Sequence, residues 1–139
     1  MKSPIKDTKY KNLSASHLKK IIPKGESLST FGLFSGDLEI SLSLHDINVN
    51  AHTNKPIIYQ FWRCLFENKE RLCSILTDKA FKFKGVTEFN LIQDRLPMYK
   101  DSYLRSSMFF MLNRCSETGQ VSCGKFNTDG YNALSLKYL

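Results

Sequence analysis

The side chains that could do chemistry in this chain are sorted by their spacing. The three histidines are His17, His45 and His52. None stands at metal-ligand spacing from cysteines or paired carboxylates, so no metal centre is expected. The four cysteines are Cys64, Cys73, Cys115 and Cys123. None forms a Cys-x-x-Cys pair, which argues against a zinc ribbon or a dithiol redox site. Cys64 and Cys73 lie in an apolar helical run, where small buried thiols are common. Reduced thiols fit a cytoplasmic setting. The chain has no Gly-x-Ser-x-Gly elbow and no phosphate loop ending in Gly-Lys-Ser/Thr. Two stretches remain. One is the glycine-containing run Phe31–Leu42, FGLFSGDLEISL. The other begins at Asn113-Arg114 and ends at Gly124-Lys125-Phe126-Asn127. Asn113 and Arg114 can cap a helix C-terminus and pair with its dipole. Asp37 and Glu39 read first as solvated surface acids.

These groups need elements to hold them. Ser14–Ile22 reads as a short helix, stopped by Pro23-Lys24-Gly25-Glu26. Ser27–Phe34 is β-rich. Leu38–Leu44 has apolar residues at alternate positions, which suits a strand, although a helix after Gly36 fits a run this short equally well. Ile47–Ala51 is a second short strand. Asn54-Lys55-Pro56 opens a strong helix, with Asn54 as N-cap and Pro56 in the first turn. Its stripe runs from Ile57 through Phe61, Trp62 and Leu72 to Leu76, and core packing is its default role. A basic connector covers Phe81–Gly85. Helices are expected over Thr87–Leu96 and Tyr103–Arg114, a β-hairpin over Thr118–Thr128 and a last helix from Asn132 to Leu139. The first half therefore looks like the start of a doubly wound nucleotide-binding sheet, and the second like an insert.

Composition narrows the partners. The 139 residues are 42% hydrophobic and 12% aromatic, which suits a globular domain and excludes disorder. Twenty Lys and Arg against thirteen Asp and Glu leave a net charge of +7. Such a balance favours phosphate backbones or acidic surfaces. Met1–Lys11 is polar and lysine-rich, with no apolar region of a secretory signal, and no stretch is long enough to span a bilayer. A cytoplasmic protein without a membrane partner is expected.

Three segments together resemble the Dam-like adenine-specific DNA methyltransferases, and a fourth strengthens the likeness. KNLSASHLKKIIPKGE, Lys11–Glu26, is similar to the family's Gly-Gly-Lys helix, with Lys11 as the lysine and Lys9 and Tyr10 in place of the glycines. FGLFSGDLEISL resembles its cofactor loop through Phe34, Ser35 and Gly36, with Gly32 where an acid is usual. NVNAHTNKPIIYQFW, Asn48–Trp62, resembles the end of its second strand. There His52 stands where an Asp accepts from the cofactor's ribose; Asp46-Ile47-Asn48 is a second alignment that retains an acid. Finally, FFMLNR at Phe109–Arg114, then Gly119 and Gly124-Lys125-Phe126-Asn127, resemble the target-recognition insert.

The resemblance implies an α/β fold: a partial Rossmann-like methyltransferase sheet with a helical and β-hairpin target-recognition insert. Residues 1–80 would form the cofactor half and 81–139 the recognition segment. S-adenosylmethionine would meet Lys11, Phe34, Ser35, Gly36 and His52, with contact weakened or lost at the replaced positions. Double-stranded DNA would meet Asn113, Arg114, Gln120, Ser122 and Lys125. Arg114, Lys125 and Lys137 would hold phosphates, and Gln120 and Ser122 would face base edges. The family's catalytic Asp-Pro-Pro-Tyr is missing: none of Pro4, Pro23, Pro56 and Pro97 adjoins an Asp or another proline. The implied function is an incomplete or degenerate relative that binds DNA and is inactive alone, such as a viral or mobile-element copy. The alternatives are one subunit of a split enzyme and a non-enzymatic interaction protein. Absent strands would leave a sheet edge open to a complementing subunit or a second copy.

Overall fold

A computed structural model describes residues 3–7, 13–78, 85–129 and 139. Along it run α1 (Leu13–Ile21), β1 (Ser27–Phe31), α2 (Asp37–Ser43), β2 (Asn48–His52), α3 (Pro56–Glu67) and α4 (Lys69–Thr77). They are followed by α5 (Val86–Arg95), a 3-10 turn (Leu96–Met98) and α6 (Ser102–Cys115). Lys11, Lys137, the connector at 81–84 and the terminal helix foreseen from Asn132 lie outside the described residues.

β1 and β2 pair in parallel, from Ser27 opposite Asn48 to Phe31 opposite His52. With α2 between them they make one βαβ unit. Among the described residues the sheet has these two strands only. The fold is thus mixed α/β with a small parallel sheet. Parallel sheets normally bury both faces under helices and read as continuous apolar runs. Here Leu28 and Thr30 are half-buried, whereas Ser27, Ser29 and Phe31 are exposed.

The ambiguous run Leu38–Leu44 is helical. Gly36, at φ 78°, turns the chain, and Asp37 and Glu39 occupy the first turn of α2. Carboxylates there complement the positive helix end. Thr30 Oγ1 donates to Glu39 Oε1 at 2.8 Å, fixing α2 to the strand beneath it.

The single long helix expected from Asn54 to Leu76 is two helices. Asn68, at φ −156° and ψ 82°, ends α3 and caps α4, its side chain accepting from Arg71 N at 2.9 Å. Asn favours this role because its side-chain oxygen replaces a lost backbone acceptor. Pro56 does open α3, but Lys55 rather than Asn54 is the N-cap. Asp101 starts α6 by accepting from Leu104 N at 2.7 Å and also meets Arg71 Nη2 at 3.1 Å.

α6 is the central element, buried at every position from Ser106 to Asn113. Burial over successive positions places this helix in the core even though Ser106, Ser107 and Asn113 are among its buried residues. Phe61 of α3 lies 5.6 Å from Phe109 and 6.0 Å from Phe110, ring centre to ring centre. Leu72, Leu76, Phe89 and Ile5 join the same cluster. Described residues on both sides of position 80 therefore share one interior. Among the described residues no helix is long and apolar enough to cross a membrane.

The segment Thr118–Thr128 is not a laddered hairpin. One antiparallel bridge, Ser116 with Phe126, closes it. Glu117 N donates to Lys125 O at 2.9 Å and Asn127 N to Cys115 O at 2.7 Å. Inside the loop, carbonyls turn to side chains instead of a facing strand. Gln93 Nε2 donates to Val121 O at 2.5 Å and to Gly124 O at 3.3 Å.

All four cysteines are free. Burial pushes the Cys115 thiol from 9.0 up to about 12. Its folded pKa is raised, so its contribution to stability is whole below pH 9 and is lost as pH rises from about 9 to about 12. Urea midpoints measured at intervals across that window should fall more steeply in the parent than in Cys115→Ala. Equal slopes would refute a protonated, buried thiol.

Candidate functional site

Two clefts open on this framework. The larger, about 720 Å³, lies where the end of the β1–α2 loop, the start of α3, the 3-10 turn, α6 and the Gly119–Cys123 loop converge. Its walls include Phe34, Lys55, Ile57, Arg105, Phe109 and Val121. Lys55 Nζ stands 5.4 Å above the centre of the Phe34 ring, within cation–π range. Arg105 Nε donates to Gln60 Oε1 at 2.6 Å, which orients the guanidinium from its inner side. Gln120 and Ser122 are exposed at the opposite wall.

The smaller cleft, about 520 Å³, lies between α2, β2 and α3 and is mainly apolar. Trp62 and the 81% exposed Phe66 stack there, 5.8 Å apart.

The expected cofactor residues are divided between these places. Phe34 lines the larger cleft and Gly36 the smaller. Ser35 is buried, and its carbonyl accepts from Ser3 Oγ. The Phe34 carbonyl accepts from Trp62 Nε1 at 3.2 Å. The Gly36 carbonyl accepts from Ile40 N at 2.8 Å. The carbonyls of this loop at Phe34, Ser35 and Gly36 are thus satisfied internally. Gly36 is needed for a different close approach from the one expected: a Cβ there would sit 2.6 Å from Trp62 Cζ2. The glycine admits an indole of the same chain. His52 is exposed, stacked on Phe31 at 5.0 Å, and lines neither cleft. Its carbonyl accepts from Gly32 N and Leu33 N.

Of the expected DNA-binding residues, Gln120 and Ser122 reach the larger cleft together with Phe34. Lys125 is exposed on the far stem of the loop. Arg114 is half-buried and already has a partner. Asn113 departs from its expected role. It is wholly buried, with Oδ1 accepting from Lys6 N at 2.6 Å and Nδ2 donating to Lys6 O at 2.9 Å and to Gly119 O at 2.7 Å. With both donors and its oxygen engaged inside the protein, this amide has no exposed atom to offer a ligand. Asn113 therefore holds the start of the Gly119–Cys123 loop in place and has no exposed surface to offer the DNA expected of it.

Asn113 works through the segment Ser3–Asp7, which straps the two halves of the site together. Ser3 N donates to Asp37 Oδ1 at 3.2 Å, Ile5 is buried in the core, and Lys6 Nζ donates to Ser116 O at 2.9 Å. Sequence reasoning missed this strap, since Ile5 is a lone apolar residue in a polar stretch. It also missed Lys55 and Arg105. Lys55 could have been found as the cation in the helix-opening Asn-Lys-Pro. Arg105 could have been found as the cation about three turns before the end of α6, the helix that leads into the Gly119–Cys123 loop.

Compared with models of protein families, with curated proteins and with solved structures, the chain matches none.

Proposed function

We propose that this chain is a DNA-binding protein of methyltransferase-like build that performs no methyl transfer with the residues it carries. The reading rests on one observation: the 720 Å³ cleft brings Phe34 of the glycine loop to the same space as Gln120 and Ser122 of the recognition-like loop. A site that reads a nucleotide beside a βα loop needs that convergence. The net charge of +7 supplies the long-range attraction to phosphate. Lys125, exposed on the loop stem, contributes a phosphate contact that positions the duplex. In this reading the βαβ unit is the start of a Rossmann-like sheet. Affinity for S-adenosylmethionine is weak or lost, because the carbonyls of its loop have internal partners and His52 replaces a two-oxygen acceptor.

The test is binding of a fluorescein-labelled duplex, followed by anisotropy. Affinity should fall steeply between about 50 and 200 mM salt, since bound phosphates release counterions. Lys125→Ala should weaken binding uniformly across sequences and lower the salt slope by about 1. Affinity indifferent to salt, or no binding to duplex at low salt, would refute the reading.

A further inference from the structure

The larger cleft has a charge pattern that duplex binding alone does not require. Two cations, Lys55 and Arg105, stand on its lining. The single carboxylate on that lining among the described residues, Asp7, already has a partner of its own. Much of the remaining lining is apolar and partly aromatic: Ile57, Phe109 and Val121, with Phe34 beneath Lys55. Gln120 and Ser122 add neutral donors and acceptors. At about 720 Å³ the space suits one small molecule and is far too small for a duplex.

We propose that this cleft holds a single nucleoside phosphate, with the phosphate between Lys55 and Arg105 and the base against the apolar wall. Each part of the ligand answers a feature of the site. The phosphate dianion meets a compact ammonium and a guanidinium whose Nε is already tied to Gln60, leaving its outer fork for oxygen atoms. The base has a planar apolar face for Ile57 and Phe109 and polar edges for Gln120 and Ser122. A sulfonium ligand would instead bring positive charge towards two cations. A phosphorylated peptide would use the cations but not the aromatic wall or the amide edge. The phosphate can belong to a free mononucleotide or to one nucleotide of a single strand, and the cleft chemistry is the same for both.

The inference rests on the same cleft as the duplex reading and adds Lys55 and Arg105, so the two can fail separately. Adenosine 5′-monophosphate, adenosine and a short oligothymidylate are titrated calorimetrically into the full chain. The monophosphate should bind at least about tenfold tighter than adenosine. Lys55→Glu should abolish that difference, Lys55→Arg should retain it, and Arg105→Lys should reduce it by losing the fork. Melting curves separate loss of binding from loss of fold, because Lys55 is exposed and Lys55→Arg keeps its place over Phe34. Binding of the oligothymidylate alone, with the same Lys55 dependence, assigns the site to a strand phosphodiester. Lys125→Ala should weaken duplex binding and leave the monophosphate untouched. The proposal is overturned if neither phosphate ligand binds at millimolar concentration. It is overturned equally if adenosine binds as well as its monophosphate, or if Lys55→Glu changes nothing.

Discussion

Asn113→Ala should lower the unfolding free energy by about 3–5 kcal/mol, because it leaves one buried and two part-buried backbone groups without their partner. The lost amide accepts from Lys6 N and donates to Lys6 O and Gly119 O. A buried group left unpaired costs about 1–3 kcal/mol, and relaxation of the strap recovers part of the sum. Urea unfolding followed by circular dichroism measures the loss. Asn113→Asp sharpens the test. It keeps the acceptor for Lys6 N but replaces two donors with a carboxylate facing two carbonyl oxygens. It should be no less damaging than alanine. A loss below about 1 kcal/mol for Asn113→Ala would mean that the strap is not anchored there.

Gly119→Ala should cost about 2–4 kcal/mol, from two separable causes. Gly119 has φ 83°, a conformation that L side chains rarely adopt. A Cβ added there would overlap the carbonyl oxygen of Lys6 and lie 3.2 Å from Asn113 Nδ2. The obstruction is backbone, which cannot swing aside as a side-chain tip can. Gly25→Ala provides the control, since Gly25 has a similar φ of 86° and nothing within 4 Å of the added carbon. It should cost only about 1 kcal/mol. The difference between the two variants isolates the crowding against the strap. Gly119→Ala should also weaken binding at the larger cleft, whose wall the Gly119–Cys123 loop forms. Equal losses at the two glycines would show that the strap yields.

What the sequence conveyed depended on how local the deciding contacts were. The stripe Ile58, Phe61, Trp62 of α3 repeats at helical spacing, and burial follows from that spacing alone. The two strands were legible because β-rich composition and the breakers around it are also local, whereas the one run that reads as alternating, Leu38–Leu44, is a helix. The exposure of Ser27, Ser29 and Phe31 was not legible in the sequence, which points to a doubly wound sheet covered on both faces. The break at Asn68 was hidden, because a polar residue between Glu67 and Lys69 reads as the outer face of a continuing helix. The choice between helix and strand at Leu38–Leu44 turned on Gly36 and the acids after it, not on apolar period. The loop 118–128 looked like a hairpin from its glycines. Yet its carbonyls are taken by Gln93 and Asn113, which lie 28 and 6 residues away from the groups they meet. Asn113 allowed two readings in the sequence, capping or contact with DNA, and only its position under the strap decides between them.

The pairing of Lys6 with Asn113 spans 107 residues. That separation has a consequence for biosynthesis. Ile5 and its neighbours leave the ribosome about a hundred residues before the amide that receives them is made. At about 5–20 residues per second, the strap waits roughly 5–20 s for its partner. During that time the βαβ unit can form, while the site around Gly119 cannot. The larger cleft therefore cannot be completed until Asn113 and the Gly119–Cys123 loop have been made, and a nascent chain halted before Asn113 would display its first strands with no place to seat the strap.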